Sequence, residues 1–168
     1  YIMSQNLDQK IDEPFSRLSN FNDMAISSFE TGTLFSYSAD EMGEEKFNNL
    51  LKSYIAENTD KQMTPEDFLN RLNKEDASTS YLNGFLRQKN RINFKLKNFR
   101  IKNDSLNIKI VKNTDKAIPV KLETETKEGA KTSYWIETDA NEKLKTVSLP
   151  SEDVYKITLN NGYIFPES

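Results

Sequence analysis

The sequence predicts an α+β fold: an N-terminal helical subdomain followed by a small antiparallel β-sandwich. Two observations carry this. The hydrophobic period changes once, near residue 90, from a helical period to a period of two. Beyond that point the apolar runs are short and separated at regular spacing by turn residues. Strands and helices do not alternate, so no βαβ units are expected. The switch divides the chain into a helical part, 1–89, and a sandwich part, 90–168.

The clearest helix is Glu44–Glu57. Phe47, Leu50, Leu51, Tyr54 and Ile55 recur at helical spacing and make one apolar stripe. Gly43 precedes it and suits the end of an earlier helix, predicted from about Asp23 to Met42, because the residue after a helix often needs a positive φ. Thr64-Pro65-Glu66-Asp67 is a helix start. Thr64 can cap, Pro65 fits the first turn, and the acidic pair complements the positive end of the dipole. Phe68, Leu69 and Leu72 give that helix its buried face. Ser78 or Ser80 caps a last helix carrying Tyr81, Leu82, Phe85 and Leu86. Pro14 interrupts the first twenty residues, which read as a loop with a short helix.

After Asn90, Ile92-Phe94-Leu96 forms a first strand and Leu106-Ile108-Ile110 a second. Ile118–Glu125, Thr132–Glu137, Lys143–Leu149 and Val154–Leu159 follow. Asn103-Asp104, Asn113-Thr114-Asp115, Glu128-Gly129, Asp139-Ala140-Asn141 and Asn160-Asn161-Gly162 supply the turns. About six or seven short strands in this arrangement make a sandwich. The tetrad Asn-Thr-Asp-Lys occurs at Asn58–Lys61 and Asn113–Lys116, once after a helix and once between strands, which is turn chemistry used twice and not a repeat.

Composition narrows the chemistry. The 168 residues contain no histidine and no cysteine. The usual transition-metal site, the serine–histidine pair and thiol catalysis are therefore incomplete within this chain. The absence of cysteine does not fix the compartment. No phosphate-cradling glycine motif and no calcium-loop motif occurs. A net charge of -3 gives no general attraction for polyanions. The segment Arg87–Lys102 mixes cations and aromatics as a nucleic-acid groove does, but its alternation reads better as a strand with one wet face. No nucleic-acid partner is expected, and no apolar run approaches the roughly 20 residues of a membrane span. Hydrophobic residues at 36% and charged residues at 29% describe a real core under a polar surface. The chain begins at Tyr1 and reads as a piece of something longer.

Two residue groups remain as candidates. Asp40-Glu41 and Glu44-Glu45 flank Gly43 and are the carboxylates a glycosidase-type hydrolase would need, although acidic residues near a helix start ordinarily complement its dipole. Tyr134-Trp135 lies in a strand, where neighbours face opposite ways. One ring goes to the core, and Trp135 is the candidate binding aromatic on the other face.

A set of ordered motifs adds a resemblance. Phe29-Glu30-Thr31-Gly32-Thr33-Leu34-Phe35 leads to Met42-Gly43-Glu44-Glu45-Lys46-Phe47, then to a helix with Leu50, Leu51 and Tyr54, then to Thr64-Pro65-Glu66-Asp67-Phe68. This resembles the aminopeptidase N-like zinc peptidases (gluzincins) downstream of their zinc helix. That family reads Y-x-K-G, L-G-x-x-x-F and T-x-x-D-F in the same order, with a β-sandwich following in many members. Ala117-Ile118-Pro119-Val120, Tyr134-Trp135-Ile136, Val147-Ser148-Leu149-Pro150 and Thr158-Leu159-Asn160-Asn161-Gly162 are similar to the sandwich of bacterial members, especially Bacteroidetes-type ones. The likeness runs from about Asp23 to the end of the chain.

The resemblance implies a bacterial metallopeptidase, with the periplasm and cell surface among the compartments it allows, whose single zinc is bound upstream of the matching region, with no cofactor in this segment. It implies two partners: the upstream catalytic domain of the same parent chain, and a peptide substrate for the parent. It also implies a site residue. The family tyrosine that stabilises the oxyanion falls at Phe29, which has no hydroxyl, and Thr31 stands where a lysine is usual. Tyr37 is the next tyrosine, eight residues along and more than two helical turns away. The expected function is the C-terminal part of an aminopeptidase-like metallopeptidase, inactive alone, that walls and supports the parent's cleft. The alternative is a stand-alone binding or assembly module. In a fragment the helical face around Phe29–Tyr37 should be apolar and uncovered. In a self-contained module it should be covered.

Overall fold

A computed structural model of the chain describes residues 9, 13–24, 30–83, 93–151 and 153–160. The chain divides into two compact units, Tyr1–Asn90 and Arg91–Ser168. The first is helical and the second holds two three-stranded antiparallel sheets, so the fold is α+β, helices first and sandwich second. Among the described residues no helix is long and apolar enough to cross a membrane.

In the helical unit, Pro14 is the residue before the first turn. A 3-10 turn at Phe15–Arg17 and a short helix α1, Asn20–Met24, follow. Helix α2 is Thr31–Met42 and α3 is Glu44–Glu57. The helix expected from Asp23 to Met42 is thus seen at its two ends, and 25–29, Phe29 included, lie outside the described residues. Gly43 breaks α2 from α3 with φ 91°, a conformation that a Cβ disfavours.

Helix α3 buries Phe47, Leu50 and Tyr54, while Leu51 is half-buried and Ile55 is 50% exposed. The sequence placed all five on one stripe. Ile55 departs from it because, at 100° per residue, it lies about 80° round the helix from Phe47 and leaves the contact arc. Helix α4, Pro65–Glu75, is entered through a capping box. Thr64 Oγ1 accepts from the Asp67 backbone N–H at 3.2 Å, and Asp67 Oδ2 accepts from the Thr64 N–H at 3.3 Å. Two of the donors orphaned at a helix start are satisfied reciprocally. Phe68, Leu69 and Leu72 face inward as expected. Phe68 meets Tyr54 at 5.2 Å between ring centroids and Phe35 at 5.4 Å, and Phe35 meets Phe47 at 5.9 Å, so aromatic contacts join α2, α3 and α4. The helix expected from Ser78 or Ser80 begins as a 3-10 turn, Ala77–Ser80, and runs into Tyr81–Asn83. Phe85 and Leu86 lie outside the described residues.

The second unit has strands β1 Phe94–Lys102, β2 Ser105–Lys112, β3 Val120–Thr126, β4 Lys131–Ile136, β5 Leu144–Pro150 and β6 Val154–Leu159. One sheet has the order β1-β2-β5 and the other β4-β3-β6, all antiparallel. The β1–β2 hairpin turns on Asn103 and Asp104, both at positive φ, the two-residue turn whose twist matches its strands. The central strands make the core. Leu106, Ile108 and Ile110 of β2 and Val120 and Leu122 of β3 are 0–1% exposed, with Phe94, Val147 and Leu149 on one side and Tyr134, Ile136, Val154, Ile157 and Leu159 on the other packed around them.

Strand β1 runs six residues past the Leu96 at which the sequence reading stopped. Leu96 pairs with Ile110 and Asn98 with Lys109, so Lys97 is an extra residue. This β-bulge shifts the inward set from Phe94 and Leu96 to Phe99 and Ile101, a 2-3-2 spacing that hides the period. The expectation of one wet face also needs correction. Leu96, Phe99 and Ile101 point to the core side but stay 37%, 60% and 59% exposed, because the described strands of the opposite sheet do not cover them.

Lys112 continues the inward row of β2 and is 3% exposed. Its ammonium donates to the carbonyls of Lys116 and Asp139 and to Thr138 Oγ1. Thr138 Oγ1 in turn donates to Ile118 O at 2.7 Å and accepts from the Ile118 N–H at 3.2 Å. Pro119 has no N–H to give a ladder, and β3 begins one residue later. Lys112 and Thr138 thus hold together two of the three connections that cross between the sheets, β2–β3 and β4–β5. Burial pulls the Lys112 ammonium below its ordinary 10.5, and the nearby Glu142, Asp139 and Asp115 carboxylates oppose that shift.

Two predictions follow from these contacts. Thr64→Ala removes one side of the capping box and lowers stability by about 1 kcal/mol, read by urea unfolding of the full chain. Lys112→Met leaves buried acceptors without a donor and costs ~2 kcal/mol near neutral pH. The wild-type ammonium is disfavoured by burial, so its unfolded form holds the proton more tightly. That penalty is constant below the lowered folded value and is relieved as pH rises from there to 10.5. Wild-type stability should therefore gain on the methionine variant only within that alkaline window.

Candidate functional site

Two groups of polar side chains among the described residues of the helical unit bear on function. The first is a buried relay between α2 and Tyr81. Tyr81 is 6% exposed, and its hydroxyl donates to Glu41 Oε2 at 2.9 Å. The Tyr81 hydroxyl oxygen also lies 3.2 Å from Ser38 Oγ, which donates to the Leu34 carbonyl at 2.9 Å. Ser38 and Tyr37 are fully buried, and the Tyr37 ring meets Tyr81 edge-on at 6.3 Å. Burial, then the Glu41 charge, push the Tyr81 hydroxyl well above the usual phenol value. It therefore stays protonated and keeps its hydrogen for Glu41. In this relay Tyr81 fixes Glu41 and the end of α2.

The second is an open cleft of about 820 Å³ between the start of α3 and α4, lined among others by Glu44, Glu45, Lys46, Arg71 and Glu75. Glu44 and Glu45 therefore reach one concavity. Glu41, instead, is engaged by Tyr81. Ion pairs organise the cleft. Arg71 meets Glu75 at 3.0 Å and Glu57 at 3.6 Å, and Lys46 meets Asp76 at 2.8 Å. General acid chemistry by a carboxyl group needs burial or a facing carboxylate. Glu44 and Glu45 are exposed, and cations share their cleft. The arrangement fits dipole complement and surface pairing better than acid–base catalysis.

Phe29 lies outside the described residues. The neighbouring face of α2 is covered from within the unit: Leu34 and Tyr37 are buried, and Phe35 packs on Phe47 and Phe68. On the sandwich, Tyr134 pairs with Leu122 and faces the core, while Trp135 pairs with Lys121 and faces out. Both rings are half-buried. The Lys121 ammonium sits 5.9 Å from the centroid of the Trp135 ring, a cation–π contact. Trp135 is thus an outward aromatic with one side engaged by a cation.

Zinc sites draw on histidine, cysteine and carboxylate donors. The chain has neither of the first two, and among the described residues no three acidic groups stand close enough to hold an ion. This donor set does not fit a zinc centre, so no catalytic step through zinc is derived from these residues. The Tyr81 relay and the buried Lys112 escaped sequence reading. Lys112 had a signal in the inward spacing Leu106-Ile108-Ile110-Lys112. Tyr81 had none, because its partners stand about forty positions away.

No family model matches the chain, and no curated protein matches it. Among solved structures, the fold is similar to part of an aminopeptidase A from Legionella pneumophila, determined in complex with aspartic acid. The TM-score is 0.59 at 15% sequence identity. The match covers 80% of this chain and 16% of the aminopeptidase chain, so most of that protein has no counterpart here. At this identity the likeness is one of fold: the chain is built like a segment of an aminopeptidase.

Proposed function

We propose that this chain is the part of an aminopeptidase-like zinc metallopeptidase that follows the zinc-binding residues in sequence. In this reading the helical unit walls the parent's catalytic cleft, the sandwich is a non-catalytic support, and the upstream domain supplies zinc and most of the chemistry. The observation that carries it is the fold match to 16% of an aminopeptidase chain. The ordered motifs Met42-Gly43-Glu44-Glu45-Lys46-Phe47 and Thr64-Pro65-Glu66-Asp67-Phe68 support it from the sequence. The absence of histidine and cysteine agrees with zinc ligands contributed from elsewhere. Phe29 would occupy the position from which a tyrosine hydroxyl donates to the oxyanion.

A second reading is a stand-alone binding module. The covered face of α2 favours it, since Leu34 and Tyr37 are buried by this chain's own residues. The two readings separate on the longer gene product. Under the first, the parent carries zinc by metal analysis and hydrolyses aminoacyl substrates, and the 168-residue chain alone does neither. Phe29→Tyr in the parent then raises kcat by at least about tenfold, because one oxyanion donor is worth that much or more. A natural reading frame that starts near Tyr1 and binds no zinc would leave the module reading standing. An active parent whose rate is unchanged by Phe29→Tyr would remove position 29 from the mechanism.

A further inference from the structure

We infer that the free edge of β1 is a docking site for an extended peptide segment that alternates apolar and acidic residues, added to the sheet as a further strand. This goes beyond the metallopeptidase reading and does not depend on it.

The argument starts from the strand's two faces. Phe94, Leu96, Phe99 and Ile101 share the face on which β2 presents Leu106, Ile108 and Ile110. Phe99 and Ile101 remain about three-fifths exposed there. The other face carries Lys95, Arg100 and Lys102, with Lys109 of β2 beside them, and Lys97 stands at the bulge. Strands β1, β2 and β5 contain no Asp or Glu. Among the described residues none of these five cations forms an ion pair. A chain of net charge -3 thus concentrates unpaired positive charge on one sheet.

The backbone supplies the third element. Among the described strands β1 pairs only with β2, so along its nine residues the N–H and C=O groups of alternate positions point to a second edge that no described strand uses. A strand laid on that edge would place alternate side chains on the two faces. One set would cover Phe99 and Ile101. The other would meet Lys95, Arg100 and Lys102. The edge therefore specifies its occupant: apolar residues on one side, carboxylates on the other.

Other occupants fit less well. Lysines on an edge ordinarily guard against pairing with another sheet. That guard acts on a second copy of β1, whose cations would lie beside these. It does not act on an acidic strand. A nucleic acid would need cations and stacking aromatics on one surface. Here Phe99 and the cations lie on opposite faces of the sheet, and a single polynucleotide would reach only one of them. The other described edge strands lack the combination. Strand β5 exposes Leu144 alone among its large apolar residues, and β4 and β6 belong to the sheet that carries Glu123 and Glu125.

The test uses the full chain and a capped nine-residue peptide alternating glutamate and valine, beside the same peptide with lysine for glutamate. Hydrogen exchange should show protection of amides within Phe94–Lys102 with the glutamate peptide and none with the lysine peptide. Binding should weaken on going to about 0.5 M salt, where surface charges are screened. The double variant Arg100→Glu/Lys102→Glu should weaken it about tenfold or more, and Phe99→Ser/Ile101→Ser should also weaken it. All four positions are exposed, so each variant should keep the wild-type circular dichroism and melting temperature. Absence of protection, equal protection by both peptides, or protection confined to β4, β5 or β6 would overturn the proposal. So would a peptide-independent dimer by ultracentrifugation that protects β1. A tighter, β1-protecting interaction with an oligothymidylate would assign the strand to nucleic acid instead.

Discussion

Leu106, Ile108 and Ile110 on β2 face Val120 and Leu122 on β3, and the placement of the other strands of the sandwich follows from that contact. Two central strands with five fully buried aliphatic side chains form the dry layer between sheets. Strands β4, β5 and β6 contribute side chains that are only half-buried, because each has a neighbour on one side alone. The same contact explains β1. Phe94 still reaches the core, whereas Phe99 and Ile101, beyond the bulge at Lys97, point past the cover that the described strands provide. The free edge and the exposed apolar row are thus one consequence of a narrow core.

The crossing connections depend on that core in another way. Chain leaving β2 and chain leaving β4 must pass between sheets, and their backbone groups lose water there. Lys112 and Thr138 satisfy them, one by donating three hydrogen bonds and the other by bridging both backbone groups of Ile118. A buried ammonium is tolerated because its donors are all engaged. The helical unit solves the matching problem at its helix ends, with the Thr64–Asp67 box opening α4 and the Gly43 break letting α3 fold back against α2. Its aromatic contacts then bring Phe35, Phe47, Phe68 and Tyr54 together.

Much of this was legible along the chain. The bounds of α3 and of β6 follow from period alone, and Thr64, Gly43, Asn103 and Asp104 announced their roles through local chemistry. The misses share a cause. Strand β1 looked short because an inserted Lys97 breaks the alternation, and a bulge is defined by the partner strand, which a linear reading does not include. Ile55 looked buried because it is apolar and in phase, yet the breadth of the contact arc is set by α2 and α4. Of the candidate site residues, Glu44 and Glu45 reach a cleft but share it with the adjacent Lys46 and with Arg71, which α4 brings in. Trp135 faces outward as alternation implied, while its cation neighbour Lys121 follows only from the β3–β4 register. Motif order pointed to an aminopeptidase-like segment, and the fold similarity agrees with that at the level of architecture.

By itself the sequence determined the class of fold, its helix-then-strand order, and the exclusion of histidine and thiol chemistry from this chain. These depend on residue identity and on spacings of a few residues, which any position carries with it. Only the tertiary structure decided what covers what. It joined Tyr81 to Glu41, sank Lys112 among carbonyls, and left Phe99 and Ile101 in solvent with unpaired cations on the reverse face. Each of those outcomes depends on groups brought together from distant parts of the chain, and burial is a property of that assembled surface.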